Sequence, residues 1–370
     1  MSDKRQIHVG GVAIGGGAPV VVQSMTNVPA GDARATLGQV RALAAAGSEL
    51  VRVSLPSAAD TEAFAEVVRH APLPIIADIH FDWRLALVAL ESGAAGVRIN
   101  PGTIGSDAHV REIVRAAAER GAAIRIGVNS GSLPRELRDL AARKPIDALV
   151  EAALRYAARF EDWGCTNFKL SVKSSSVPDT IAAYRALAQR STAPLHVGVT
   201  EAGTVWSGTI KSAVGIGALL CDGIGDTVRV SLTGDPVEEV RVAWAILEAL
   251  ELRRRGPNLI SCPTCGRTEI DLVSLANEVE ERLRSYSAPI SVAVMGCRVN
   301  GPEEARHADF GIAGGRGEGV VFAHGVKVTT APEDELVEAL FERIEAELGR
   351  PAALPSPPVA PGRRGEEQVP

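Results

Sequence analysis

Three cysteines and a set of strand-borne cations are the residues whose types and spacing could do chemistry. Cys262-Pro-Thr-Cys265 brings two thiolates within reach of one metal centre. Cys297 follows a β-like run, Ser291-Val-Ala-Val-Met-Gly296, and Asn300-Gly-Pro-Glu-Glu304 comes directly after it. Three chemistries compete for these thiols. Structural zinc needs a fourth ligand, and His307 is the only close histidine. A redox disulfide would use the pair alone, in a thioredoxin-like context that is missing here. An iron–sulfur cluster takes thiolates, and an incomplete cysteine set leaves one iron for another ligand or substrate. Spacing favours the cluster over zinc. Cys165 and Cys221, isolated among helical residues, are expected to be buried small apolar groups.

The cations emerge from strand periodicity, since successive side chains of a strand point to opposite faces. In Glu49–Leu55, Val51, Val53 and Leu55 share one face, Arg52 and Ser54 the other. Val97 and Ile99 oppose Arg98 and Asn100; Ile124, Ile126 and Val128 oppose Arg125, Gly127 and Asn129. Phe168, Leu170 and Val172 oppose Lys169, Ser171 and Lys173. Leu195, Val197 and Val199 oppose His196, Gly198 and Thr200, and Val228, Val230 and Leu232 oppose Arg229 and Ser231. If the apolar face packs on helices, the polar face points into a lumen. Asp78 and Glu201 are the main candidate counter-charges, too few for so many cations. Buried charges without partners cost several kcal/mol each, so the missing negative charge is expected from a ligand. Arginine forks suit phosphate oxygens, which points to a small molecule with more than one phosphate.

Glu201, in Thr200-Glu-Ala-Gly203, closes its strand and could act as general acid or base. Asp78 and His80 form a second candidate pair. His196 starts deeper in its strand and is read as packed or phosphate-facing. His8, His70, His109, His307 and His324 have no partners at ligand spacing and are read as structural.

These residues need a scaffold that aligns strand ends. Eight β-branched runs, at 19–24, 49–55, 74–80, 96–100, 123–129, 167–173, 194–200 and 226–232, each precede an Ala/Leu-rich amphipathic stretch. Eight βα units over about 235 residues match a (β/α)8 TIM barrel, which takes ~250 and carries its active site at the strand C-terminal ends. A doubly wound sheet usually needs fewer units. The leading glycine-rich segment reads as a hairpin. Gly203-x-x-x-x-Gly208-Thr-Ile-Lys211-Ser212 misses the phosphate-loop pattern because its lysine is displaced. Arg253–Asn258 is a charged, turn-forming connector. Beyond it come the cysteine pair, a helix (about 270–286), the strand before Cys297, three glycine-punctuated strands and a final helix (about 332–349). The expected domains are residues 1–255, 256–350 (α+β) and a proline-rich tail, 351–370, expected to be disordered.

Composition sets limits. The 370 residues are 46% hydrophobic, 23% charged and only 4% aromatic, so a large core must be built mainly from Ala, Val, Leu and Ile. A net charge of −6 argues against nucleic acid as the main partner. The opening MSDKRQIHVGG lacks an apolar signal core, and no run reaches the ~20 apolar residues of a membrane span. With five cysteines, an odd number, the expected compartment is a reducing cytoplasm and no membrane partner. A cationic mouth and a cluster together suggest reductive chemistry on a phosphorylated metabolite.

The motifs Val22-Gln-Ser-Met-Thr-Asn27, Ala77-Asp-Ile-His-Phe-Asp82, Arg98-Ile-Asn-Pro-Gly102, Arg125-Ile-Gly-Val-Asn129, Thr200-Glu-Ala-Gly203, Gly223-Ile-Gly-Asp-Thr227 and Asp235-Pro-Val-Glu-Glu239 fall in one order along the barrel. Cys262-Pro-Thr-Cys265-Gly-Arg and Gly296-Cys-Arg-Val-Asn-Gly-Pro302 follow. Over about residues 5–349 the chain resembles bacterial 4-hydroxy-3-methylbut-2-enyl diphosphate synthases of the non-mevalonate (MEP) isoprenoid pathway. That resemblance implies an iron–sulfur oxidoreductase. It would carry out reductive dehydration and ring opening of 2-C-methyl-D-erythritol 2,4-cyclodiphosphate to (E)-4-hydroxy-3-methylbut-2-enyl diphosphate. The implied cofactor is a [4Fe-4S] cluster held by Cys262, Cys265, Cys297 and Glu304. The family motif usually reads Asn-Gly-Pro-Gly-Glu, so Glu303 beside Glu304, and Arg298 after Cys297, are departures. The strand-face reading then makes Glu201 the expected catalytic residue, with Arg52, Asp78, His80, Arg98, Asn100, Arg125, Asn129, Lys173, Thr200, Arg229 and Ser231 expected to bind substrate. The resemblance also implies flavodoxin or ferredoxin as electron donor and a homodimer whose cluster domain closes on the partner's barrel. The rival readings are a redox-neutral barrel synthase or lyase with structural zinc, and a non-enzymatic electron carrier on a scaffold barrel.

Overall fold

The computed structural model describes residues 4–129, 133, 135–297 and 306–351. The chain divides into two compact units between Arg254 and Arg255. The first opens with a hairpin, β1 (Ile7–Val9) paired antiparallel with β2 (Val12–Ile14). Eight parallel strands follow: β3 (Val21–Met25), β4 (Leu50–Ser54), β5 (Ile75–Asp78), β6 (Gly96–Ile99), β7 (Ala123–Asn129), β8 (Phe168–Lys173), β9 (His196–Val197) and β10 (Thr227–Val228). Their order, β8-β7-β6-β5-β4-β3-β10-β9, is that of a barrel opened between β8 and β9. A parallel bridge from Leu170 to Leu195 closes the ring. At that thin joint Tyr184 replaces missing ladder bonds. Its hydroxyl accepts from the Val172 amide at 3.2 Å and donates to the His196 carbonyl at 2.5 Å, with Ser171 Oγ at 3.4 Å.

Helices α1 (Ala33–Ala46), α2 (Thr61–His70), α3 (Trp83–Glu91), α4 (Asp107–Glu119), α5 (Arg138–Arg143), α6 (Pro145–Asp162), α7 (Val177–Arg190), α8 (Val205–Cys221) and α9 (Pro236–Ala249) surround the strands. Their starts are chemically marked. Asp32 caps α1 by accepting from the Ala35 amide, and Asp235 caps α9 by accepting from Val237, with proline in its first turn. The strand faces bearing Val51, Val53, Val97, Ile124, Ile126, Phe168 and Leu170 pack in one buried cluster with Val40, Leu43, Phe64, Val67, Val114 and Phe160 from the helices. This apolar shell forces the alternate, polar side chains inward.

The barrel interior is layered. At the strand N-terminal ends Val21, Leu50, Ile76 and Ala123 cluster with Ile7, Val9 and Ile14 of the hairpin. That apolar plug seals the floor. Two residues further along β4, β5 and β7, on the same faces, come Arg52, Asp78 and Arg125.

The second unit is an α+β sheet with strand order β11-β12-β13-β14-β15. Its strands are β11 (Asn258–Ser261), β12 (Ser291–Met295), β13 (Phe310–Gly315), β14 (Glu318–Ala323) and β15 (Val326–Pro332), with α10 (Leu272–Leu283) and α11 (Leu336–Leu348). β11, β12 and β13 run parallel; β14 and β15 are antiparallel additions. Val279, Val292, Val294, Phe310, Ile312, Leu340 and Phe341 form its core. The sequence reading ran a connector through Asn258, whereas a strand starts there. Asn258–Ser261 is a half-exposed edge strand without a buried alternating face, which is why periodicity missed it. The proline-rich tail from residue 352 lies outside the described residues.

Candidate active site: a cationic barrel mouth and a cysteine edge

Strand register sets Asp78, Arg98, Arg125 and Lys169 side by side on β5, β6, β7 and β8. Asp78 is the hub. Its carboxylate faces Arg98 Nη1 at 3.3 Å, Arg52 Nε at 3.6 Å and His80 Nε2 at 3.2 Å, and is 2% exposed. Burial alone would raise its pKa, but Arg52, the His80 hydrogen bond, Arg98 and Arg125 together hold the carboxyl far below the usual carboxylate range. Arg98 Nη1 also approaches His80 Nδ1 at 3.4 Å. Arg52 Nε and Nη2 point at the Met25 thioether, at 3.1 and 2.7 Å.

Across the lumen a second acid appears. Glu239, in the first turn of α9, is 4% exposed and receives Arg229 Nη2 at 3.2 Å on both oxygens. Arg229 Nη1 donates to Ser231 Oγ at 2.7 Å. Deeper down, Lys169 Nζ reaches Gln23 Oε1 at 3.3 Å, and His196 Nδ1 sits 2.7 Å from Thr227 Oγ1.

These cations are under electrostatic pressure. Burial, with Asp78 opposing and Arg229 and Arg98 repelling, pushes Arg52 down to about 10. Burial, then repulsion from Arg52 and Arg98, drives Arg125 well below its ordinary value; Lys173 is lowered by burial and by Arg125 and Arg229. Lys169 and His196 are lowered by burial and by Arg125. Buried Nε and Nη1 of Arg125, Nε of Arg98 and Arg229, and Nε2 of His196 have no hydrogen-bond partner among the described residues. Two glycines make the room. A Cβ on Gly127 would lie 2.9 Å from Arg98 Nε, and one on Gly198 would lie 2.8 Å from Lys173 Nζ and 2.3 Å from the Arg229 carbonyl.

Glu201 follows Thr200 on the loop after β9. It is exposed and held at φ 53°, a left-handed conformation costly for a residue with a Cβ. The expectation that it serves as a lumen counter-charge is corrected: no ion pair to Glu201 forms among the described residues, and the second counter-charge is Glu239.

In the second unit the parallel register of β11 and β12 matches Ser261 with Val294, so Cys262 and Cys297 leave the same sheet edge. The Gly296 amide donates to Cys262 Sγ at 3.4 Å. Cys265 is exposed, and hydrogen bonds from the Arg267 backbone and side chain hold its thiol below the usual range. No three His, Cys, Asp or Glu side chains among the described residues are gathered closely enough to hold a metal. Even so, all three cysteines are free thiols, Cys262 and Cys297 follow neighbouring parallel strands, and soft thiolates with backbone N–H···S support suit iron–sulfur ligation. Arg298, Asn300, Glu303 and Glu304 lie outside the described residues. Cys165 is buried as expected, but Cys221 is exposed at the end of α8.

A family model described as the GcpE TIM-barrel domain matches residues 4–244, and the GcpE protein C-terminal domain matches residues 258–346. The chain belongs to the GcpE family. Three relatives share the name 4-hydroxy-3-methylbut-2-en-1-yl diphosphate synthase (flavodoxin). That of Geobacter sulfurreducens is 57% identical over 92% of this chain and 97% of its own. The Aquifex aeolicus protein is 52% identical over 92% and 96%, and that of Symbiobacterium thermophilum 50% over 98% of both. Among solved structures, a dihydropteroate synthase of Yersinia pestis covers 67% of this chain and all of its own at TM-score 0.50 and 11% identity, a likeness of barrel fold alone.

In this GcpE-family chain the barrel gathers Arg52, Asp78, His80, Arg98, Arg125, Lys173, Arg229 and Ser231 on inward faces or at strand ends. Asn100, 5% exposed, follows β6 and accepts from the Gly102 amide at 3.1 Å. Thr200 lies half-buried just after β9, and the Asn129 side chain lies outside the described residues. In the sequence, Asp235-Pro-Val-Glu-Glu239 carries the family resemblance without a role for Glu239, which is why that acid was missed. The available signal was its second glutamate, in the first turn of a capped helix that follows β10 and the segment Arg229-Val-Ser231. Met25 and Tyr184 carried no signal, because their roles depend on neighbours distant in sequence.

Proposed function

We propose that this chain is a 4-hydroxy-3-methylbut-2-enyl diphosphate synthase of the MEP pathway. It reduces and dehydrates 2-C-methyl-D-erythritol 2,4-cyclodiphosphate to (E)-4-hydroxy-3-methylbut-2-enyl diphosphate. Two electrons and one proton enter, the ring C–O bond to phosphate breaks, and water leaves. The first unit serves as substrate barrel and the second as cluster domain.

One observation carries the reading: a lumen closed at its floor in which burial and mutual repulsion weigh against the charged forms of Arg125 and Lys173, and buried guanidinium donors have no partner among the described residues. A polyanion offsets both penalties together, because phosphate oxygens accept the free N–H groups and supply the opposing charge that the buried cations lack. Asp78 keeps Arg52 and Arg98 aimed across the lumen, and His80 shares that carboxylate. Thr200, Asn100 and Ser231 supply neutral hydrogen bonds to the substrate, a role Asn129 is expected to share. Glu201, solvent-facing at a strained φ, delivers the proton that departs in water. Strain of this kind clusters at functional sites. A [4Fe-4S] cluster, when bound by Cys262, Cys265, Cys297 and Glu304, supplies single electrons and a Lewis-acidic iron. The electron donor is flavodoxin, the dependence printed in the relatives' names, or ferredoxin.

Among the described residues no helix is long and apolar enough to cross a membrane, consistent with a cytoplasmic enzyme. Self-association as a homodimer finds support in an exposed apolar stripe on α8, with Trp206 at 79%, Ile210 at 48% and Val214 at 55% exposure. These positions recur every four residues and so share a helix face.

The test is anaerobic turnover of the cyclic diphosphate with reduced flavodoxin or a chemical reductant. Reductant-dependent product formation by a brown, iron-containing protein is expected. Zinc in place of iron, with turnover independent of reductant, would return the chain to a redox-neutral lyase.

A further inference from the structure

Among the described residues, Glu239 is a buried lumen acid that the proposed chemistry does not use. Its carboxylate accepts from Arg229 on both oxygens, from the Leu232 amide at 2.9 Å and from Ser24 Oγ at 3.2 Å. Three elements meet there: β3 through Ser24, the end of the β10 segment through Arg229 and Leu232, and α9 itself. Arg229 is correspondingly occupied, with Nη2 on Glu239 and Nη1 on Ser231. Asp78 plays the same part for Arg52 and Arg98. Arg125, by contrast, has no ion-paired acid among the described residues, and its Nε and Nη1 find no hydrogen-bond partner there.

We infer that Glu239 is a positioning and affinity-setting residue, holding Arg229 in the empty barrel and limiting how tightly the lumen grips a diphosphate. This rests on the reading that the barrel takes a diphosphate. Two effects of opposite sign are at work. The carboxylate orients Arg229 and Ser231, which favours binding. It also places a negative charge within a few ångströms of the site, which opposes binding. In a lumen of low effective dielectric, repulsion between a carboxylate and a multiply charged phosphate exceeds the gain from one oriented hydrogen bond. The charge therefore dominates. The empty barrel keeps a compensated Arg229, and the bound anion is held less tightly than the cations alone would hold it. Ground-state grip of that kind does not raise turnover, so an acid that moderates it is compatible with rapid release of a diphosphate product.

The probe is inorganic pyrophosphate, titrated calorimetrically into the full-length, cluster-loaded protein. Glu239→Gln should bind it at least ~10-fold more tightly than wild type. Its melting temperature without ligand should fall, and pyrophosphate should raise that temperature by more than in wild type. Glu239→Asp, which keeps the charge, should stay within about threefold of wild-type affinity. A purely structural Glu239 would lower the melting temperature of Glu239→Gln and leave pyrophosphate affinity equal or weaker; that result overturns the inference. Equal tightening in Glu239→Asp overturns it as well. Should Glu239→Gln fold only with a polyanion, the folded yield against pyrophosphate becomes the readout: rescue supports the inference and failure to rescue overturns it. Wild-type protein that binds neither pyrophosphate nor the cyclic diphosphate defeats the diphosphate reading and this inference together. Wild-type binding with an unchanged Glu239→Gln defeats the inference alone.

Discussion

The barrel mouth and the cysteine edge solve opposite problems. In the barrel, charges are fixed before any ligand arrives: eight strands, an apolar shell and a hairpin plug hold Arg52, Arg98, Arg125 and Arg229 around two acids. At the cysteine edge the reactive groups sit on short segments after β11 and β12, with Cys265 exposed and few bonds holding it. Preorganisation suits a polyanion, whose affinity depends on donors already aimed. Thiols need less scaffolding, because metal–ligand bonds are strong enough to organise their own ligands. The two regions should therefore respond differently to mutation, the edge failing all at once and the lumen by degrees.

The sharpest break in that comparison is at the thiols. Cys262→Ser, Cys265→Ser or Cys297→Ser should abolish both visible absorption and reductant-driven turnover while far-UV circular dichroism keeps the barrel signal. Wild-type iron content in any one of them would remove that residue from the ligand set. Next comes Glu201→Gln, which preserves shape but cannot deliver a proton. Its kcat should drop ~10²-fold with substrate affinity kept, and rapid-mixing spectra of the reduced variant should show a persistent substrate-bound species. Normal turnover would assign the proton to His80 or water.

Arg125→Ala tests preorganisation directly. Losing one charge-assisted phosphate contact should weaken substrate binding by about 1.5–3 kcal/mol. Because buried nitrogens of Arg125 have no partner among the described residues, ligand-free stability should hold or rise, unlike the usual loss on removing one member of a buried pair. A fall in both affinity and stability would make Arg125 a structural ion-pair member. The smallest effect is expected at Gly198→Ala. Its Cβ would press on the Arg229 carbonyl and Lys173 Nζ, so melting should drop by the equivalent of about 1–3 kcal/mol with the cluster spectrum untouched. An unchanged melting temperature would mean that β9 yields more readily than the lumen geometry implies.

What could be read from the chain follows from local rules. Period-two alternation assigned every lumen cation to its face, because a strand side chain has only two directions available. The Cys262/Cys265 spacing and Cys297 after a strand were visible for the same reason: each is a statement about neighbours in sequence. Tertiary structure decided the rest. Glu239 meets Arg229 only because α9 folds back over its own strand, and it meets Ser24 across more than two hundred residues. Edge strand β11 escaped notice because it lacks a buried alternating face, yet it carries Cys262 to the sheet edge that Cys297 also leaves. Glu201 looked like a counter-charge from its position among cations; only the backbone, turning through a positive φ, showed that it faces solvent. Sequence fixes which direction a side chain takes along its own element. Which charge it finds there depends on packing between elements, and no local pattern encodes that distance.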